Sequence, residues 1–135
     1  MSDQPQQPVQ SDRSPQASLH RWSEVLREQL NPSIARQYVT GSQAMLARLE
    51  LAKGCLVPTH SHPNEQIAYI EKGSLKFTLG YPGDEPQVHI VHAGEILIIP
   101  ANLPHSAEAL EDTIDFDIFS PPRQDWIDKN DAYLR

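Results

Sequence analysis

Intramolecular disulfides are excluded from this chain, because it holds one cysteine, Cys55. A single thiol without a patterned partner fits a reducing compartment, so a cytoplasmic location is expected. Cys55 itself reads as a small structural residue. Positive charge is scarce: 11 Lys and Arg stand against 18 Asp and Glu, a formal charge of −7. With no basic cluster, nucleic acid is not an expected partner. No apolar run approaches a membrane span, and the first residues lack a basic-then-apolar signal pattern, so no membrane partner is expected. Long helical stretches, internal repeats and DNA-binding helices are missing as well. What is present is 135 residues, enough for one domain whose core needs no cross-link.

Residues 1–18 are Gln, Pro and Ser with almost nothing to bury, and read as a disordered tail. Residues 19–44 read as an arm and a first strand packing on the body or on a second subunit. Within that arm, Ser23 is placed to cap a short helical turn carrying Val25, Leu26 and Leu30, ended by Asn31-Pro32. Short strands follow at regular spacing. Ile34–Thr40 comes first, then Met45–Leu51 with Met45, Ala47, Leu49 and Leu51 on one face. Ile67–Ile70 precedes Ser74–Leu79, in which Leu75, Phe77 and Leu79 point inward. Val88–Val91, Ile96–Ile99 and Thr113–Phe119 complete the set. Such spacing with Gly and Pro turns indicates an all-β antiparallel sandwich or barrel over residues 45–120, with 121–135 as a C-terminal extension. In the last strand Ile114, Phe116 and Ile118 alternate with Asp115, Asp117 and Phe119. Pattern alone assigns the two acids to the solvent face.

The chemistry concentrates in Gly54–Gly73, GCLVPTHSHPNEQIAYIEKG. In a strand, residues two apart share a face, so His60 and His62 can aim two imidazoles at one point. Gln66 can add an amide oxygen, and His105 in IIPANLPHSA is the candidate third imidazole. The His60, His62, Gln66 and Gly73 spacing from Gly54 resembles the first motif of the cupins, with Gln66 where that motif carries Glu. Gly94, Pro100 and His105 resemble the second, with Asn102 at its turn glycine and Ala109 at its final Asn. Asn102 tolerates the left-handed conformation such a turn needs. Glu65 falls one residue short of the ligand spacing and is expected outside the ligand set. Three His and one Gln form a neutral set, which leaves a divalent ion its full charge. That favours Lewis-acid work on a carboxylate or carbonyl oxygen over oxygen activation.

The HSHPNEQ segment and the DFDIFSPPRQDW ending further resemble small single-domain cupins of the pectin-degradation (KdgF-like) type. The resemblance covers roughly residues 45–127 and implies an RmlC-like jelly-roll barrel. It implies one divalent transition metal ion, Zn, Ni, Mn or Fe, on His60, His62, Gln66 and His105. It implies a carboxylate-bearing small-molecule substrate: 4,5-unsaturated monouronates left by pectate or alginate lyases, converted to linear 5-keto-4-deoxyuronate. Asp117 and Arg123 match the family's catalytic pair, and Phe119 matches the aromatic between them. Arg123 would also bind the substrate carboxylate. Tyr69, in IAYI, is a candidate substrate contact able to donate a proton, against a plain packing role in the sheet. A homodimer is implied through the outer sheet, with Trp22, Val25, Leu26, Leu30, Trp126 and Tyr133 as contributors. Cupin-type polyketide cyclases, metal-dependent dioxygenases and non-enzymatic sugar- or small-molecule-binding cupins share the same site pattern. Asn64 stands where a His is common, and Gln124 where an acid is common. His20, His89 and His92 have no motif context and read as surface residues.

Overall fold

A computed structural model describes residues 14–135. The tail expected over 1–18 therefore lies largely outside the described residues, and 14–18 are exposed without regular structure. Ten strands follow: β1 (Glu28–Asn31), β2 (Ile34–Thr40), β3 (Met45–Leu51), β4 (Leu56–His60) and β5 (Glu65–Lys72), then β6 (Ser74–Leu79), β7 (Gln87–His92), β8 (Ile96–Ile99), β9 (His105–Ala109) and β10 (Thr113–Ser120). They form a six-stranded sheet, β1-β2-β3-β10-β5-β8, and a four-stranded sheet, β4-β9-β6-β7. Every pairing is antiparallel. The result is the two-sheet jelly-roll barrel that the resemblance implied. Among the described residues no helix is long and apolar enough to cross a membrane.

The alternation of β3 and β6 builds the core as expected. Met45, Ala47, Leu49 and Leu51 are buried from one sheet, and Leu75, Phe77 and Leu79 from the other. Each large apolar side chain removed from water in this way contributes about 1.5–3 kcal/mol. Cys55 is buried in the same core. Tight turns fix the registers. Gly73 has φ +86°, and a Cβ there would fall 2.4 Å from the Asp112 carbonyl oxygen, so only glycine fits between β5 and β6. Asn102 has φ 67°, the left-handed turn expected of it, and its N–H donates to the His62 carbonyl at 2.8 Å.

Two expectations are corrected. The helical turn capped by Ser23 is instead a 3-10 turn, Trp22–Glu24, followed by β1, and Leu26 is 74% exposed. Pairing with β2 captures the chain there, so a strand wins over weak helical periodicity. In β10 the polarity is inverted. Thr113, Asp115, Asp117 and Phe119 are buried, while Ile118 lies outside.

The outward face of the larger sheet carries a row across five strands: Val39, Leu46, Ile118, Ile67 and Ile98 pair in succession. Leu46, Ile118 and Ile98 in that row are 38–59% exposed.

Past β10 the chain turns back over one end of the barrel through a short helix, Gln124–Ile127, and a 3-10 turn, Ala132–Leu134. Trp126 and Leu134 are buried in the core. The segment is tied to the N-terminal strands. Arg36, fully buried, lies over the Trp126 ring at 4.5 Å and is ion-paired to Asp131 at 2.8 Å. Arg36 also donates to Glu28, which accepts in turn from Lys129 at 2.7 Å.

Candidate metal centre

Three elements bring the histidines together. β4 ends at His60, β9 begins at His105, and the antiparallel register sets these two opposite each other. His62 lies two residues past the end of β4, in the connection to β5, rather than on the strand as expected. The rings still converge, with centroids 4.4 Å apart for His60 and His105, 5.0 Å for His62 and His105, and 5.6 Å for His60 and His62. The nearest ring nitrogens all lie within 4.8 Å of one another.

The backbone decides which nitrogens face inward. Each Nδ1 meets a carbonyl oxygen: His60 that of Pro58 at 2.8 Å, His62 that of Asn64 at 3.0 Å, and His105 that of Leu103 at 2.8 Å. A carbonyl can only accept, so each Nδ1 carries the proton and each Nε2 presents a lone pair. Burial keeps the rings neutral. It holds His60 down to about 4 and His62 to about 3, and it lowers His105 as well. The Arg123 charge acts in the same direction on all three.

Those lone pairs have nothing to bond to within the protein. His105 Nε2 is buried without a partner. His62 Nε2 sits 3.2 Å from Gln66 Oε1, and both atoms are acceptors in this tautomer. A cation between them resolves the conflict, because neutral imidazole and amide oxygen are ordinary ligands of divalent transition metals. The donors fit one such ion, with three imidazoles as the core of the set. Zn, Ni, Mn and Fe all accept such ligands. Glu65 is exposed on the opposite face of β5 from Gln66 and stands outside the set, as expected.

Beside the ligands lies a buried carboxyl pair. Gln66 Nε2 donates to Asp117 Oδ1 at 3.1 Å, which turns the amide oxygen toward the histidines. Burial raises the Asp117 carboxyl, and burial together with the Asp117 charge raises Asp115 well above the ordinary carboxylate value. One proton shared by this pair keeps two like charges from meeting in an apolar wall.

Arg123 is also buried, at 1% exposure. Its guanidinium forms a fork on Asp125, at 2.9 and 2.8 Å, donates to the Tyr133 hydroxyl, and packs over Phe119 and Trp126 at 4.9 and 4.6 Å. Phe119 meets the His62 ring edge-on at 5.6 Å. Gln66, Asp117, Phe119 and Arg123 thus share one cavity with His60 and His105. Tyr69 does not join them. It is 40% exposed on the outer face of β5, because the alternation that turns Gln66, Ala68 and Ile70 inward turns it outward. His20, His89 and His92 are exposed, as expected.

Three residues of the site carry no expectation from the sequence. Asn64 donates to the carbonyls of Pro121 and Pro122, at 2.6 and 3.1 Å, and so ties the histidine loop to the end of β10. Asp125 and Tyr133 occupy Arg123. An acid two residues from a buried arginine is a readable signal; nothing local marks Tyr133. A larger, open hollow of about 520 Å³ by Arg27, Arg48 and Lys72 holds none of these donors, so donor geometry rather than size identifies the centre.

The cupin domain model matches residues 47–120, more than half of the chain. The chain belongs to the cupin family. Among solved structures it is similar to KdgF from Halomonas sp., with 25% identity and a TM-score of 0.73, covering 82% of this chain and 99% of that one. An RmlC-like cupin from Shewanella frigidimarina has 20% identity and a TM-score of 0.72, covering 82% of this cupin and 96% of that chain, which shows the shared fold. Among curated proteins, auxin-binding protein ABP19b of Prunus persica is 29% identical over 103 residues, 73% of this chain and 49% of that protein. Auxin-binding protein ABP20 of the same organism is 27% identical over 86 residues, 62% of this chain and 40% of that protein. The cupin spans half or less of the length of these curated relatives.

Proposed function

We propose that this cupin is a metal-dependent enzyme that opens 4,5-unsaturated monouronates into linear 5-keto-4-deoxyuronate. The observation that carries the reading is the link from the histidine cluster through Gln66 to a buried acid, Asp117. The likeness to KdgF along almost the whole of that chain supports the choice of substrate.

The reaction is an isomerisation. The anomeric hydroxyl gives up a proton, the C1–O5 bond breaks, C1 becomes an aldehyde, and the electron pair leaves on O5 as an enolate. A proton then adds to C4, and C5 becomes the ketone. An ion on His60, His62, Gln66 and His105 would supply positive charge for the substrate carboxylate and for the enolate oxygen. Asp117 takes the first proton and returns one to C4, held in place by Gln66 and Asp115. Arg123 steadies the uronate carboxylate, and Phe119 lies against the sugar ring. Tyr69, on the outer face, has no part in this proposal.

The test is zinc-loaded protein mixed with unsaturated galacturonate, following loss of the enol-ether absorbance beside apoprotein and Asp117→Asn. Loss that requires both metal and Asp117 is expected. Metal-loaded protein that leaves the absorbance unchanged would overturn the reading. The proposal includes a homodimer in the cytoplasm, formed by a second copy seated on the row from Val39 to Ile98. A self-complementary apolar row suits a two-fold interface. Light scattering should give twice the chain mass, falling to one with Ile98→Glu.

A further inference from the structure

We propose that Tyr133 decides which carboxylate ligands reach the metal centre, acting as a cover that a ligand carboxylate displaces from Arg123. The inference rests on the reading of this site as one that binds carboxylates, and it adds the residue that selects among them.

The Tyr133 ring lies on the His60 ring, with centroids 4.6 Å apart and planes 28° apart. Its hydroxyl accepts from Arg123 Nη2 and lies 3.4 Å from Trp126 Nε1. The hydroxyl therefore sits where an anion held by Arg123 would place an oxygen. With the ring in position, the cavity beneath it measures about 50 Å³. That is room for one or two water-sized groups, far less than a sugar ring needs. Formate fits beneath the cover; a uronate does not.

The flanks of Tyr133 are pinned. Asp131 is fully buried against Arg36, and Leu134 is 4% exposed with its carbonyl accepting from Asn31 at 2.9 Å. Tyr133 between them is only half-buried. The side chain can therefore rotate outward while the backbone stays in place. Such a rotation breaks one ring stack and the hydrogen bonds of one hydroxyl. An incoming carboxylate repairs the Arg123 bond with a charged acceptor, which is a stronger partner than a phenol. A ligand that needs the open state binds more weakly by the fraction of molecules that are open, and removing the cover restores that fraction.

The test uses the full chain loaded with cobalt(II), whose visible absorption reports changes at the ion. Dissociation constants for formate and for galacturonate are measured in the parent, Tyr133→Ala and Tyr133→Phe. In Tyr133→Ala, galacturonate should bind roughly tenfold tighter while formate changes less than about threefold, the scale of one stack and one hydrogen bond. Tyr133→Phe keeps the ring but frees it from Arg123, so it should move galacturonate the same way by a smaller factor. An unchanged galacturonate-to-formate ratio in both variants would overturn the proposal. So would equal weakening of both anions, or a cobalt spectrum blind to both. Silent uronate turnover with a shifted ratio would remove the proposed reaction and leave the cover; turnover with an unmoved ratio would remove the cover alone.

Discussion

Strands β6 and β10 alternate equally cleanly, yet they turn opposite kinds of residue into the barrel. β6 buries Leu75, Phe77 and Leu79. β10 buries Asp115 and Asp117 and leaves Ile118 43% exposed. Burying ionisable groups costs free energy unless they find partners. β10 sustains it because Gln66 donates to Asp117, the carboxyl pair shares a proton, and Arg123 lies near. Its apolar residues are not wasted either, since Ile118 sits in the outer row between Leu46 and Ile67. A strand whose polarity runs against the hydrophobic rule marks the functional side of the barrel, and one that obeys it marks the structural side.

Substitutions can break that contrast. Phe77→Asp would place a charge in β6 with none of the partners β10 supplies. A loss of about 5 kcal/mol or more is expected, read as failure to fold or a collapsed denaturant midpoint. Phe77→Ala should cost about 3–5 kcal/mol by the same measurement. In β10 the expected damage moves from stability to chemistry. Asp117→Asn keeps an acceptor for Gln66, so metal content should hold while turnover falls about 10²–10⁴-fold in the absorbance assay. A parent-like rate there would return Asp117 to a structural role.

Asp115→Asn sharpens the comparison through pH. Burial and the Asp117 charge raise the folded carboxyl above 3.8, so the folded chain binds a proton that the unfolded chain releases. The stability this group contributes is complete below that value and is lost as pH rises toward the raised one. Asn keeps the neutral form and removes the slope. The parent should therefore lose thermal stability relative to Asp115→Asn as pH rises, and parallel melting curves across pH would refute the shift. The smallest effect belongs to the outer face. Ile118→Thr should change monomer stability by less than about 0.5 kcal/mol, measured in a background held monomeric by Ile98→Glu.

Much of this molecule is legible in its amino-acid sequence. Turn residues and period-2 alternation locate β2, β3, β6, β7, β8 and β10, because those signals are local. The ligand spacing from Gly54 to Gly73 and from Gly94 to His105 names the histidines and Gln66 for the same reason. Two faces run against the sequence pattern. Alternation gives the faces of a strand but not which one looks inward, and for β10 the usual preference points the wrong way. Tyr69 is drawn toward the site by its nearness to Gln66 in sequence, where a step of three residues reverses the face. The 3-10 turn and β1 replace a helical turn because the competing partner, β2, comes from chain further on.

The sequence by itself determined the two-sheet class, the turns at Gly73 and Asn102, and the identity of the metal-binding side chains. Each depends on residues close enough to constrain one another directly. Only the tertiary structure decided that three carbonyls would fix the histidine tautomers, that Asp115 and Asp117 would be enclosed, and that Tyr133 would lie on His60. Those outcomes depend on what the other sheet and the returning C-terminal segment place across the barrel, and no local pattern carries that distance.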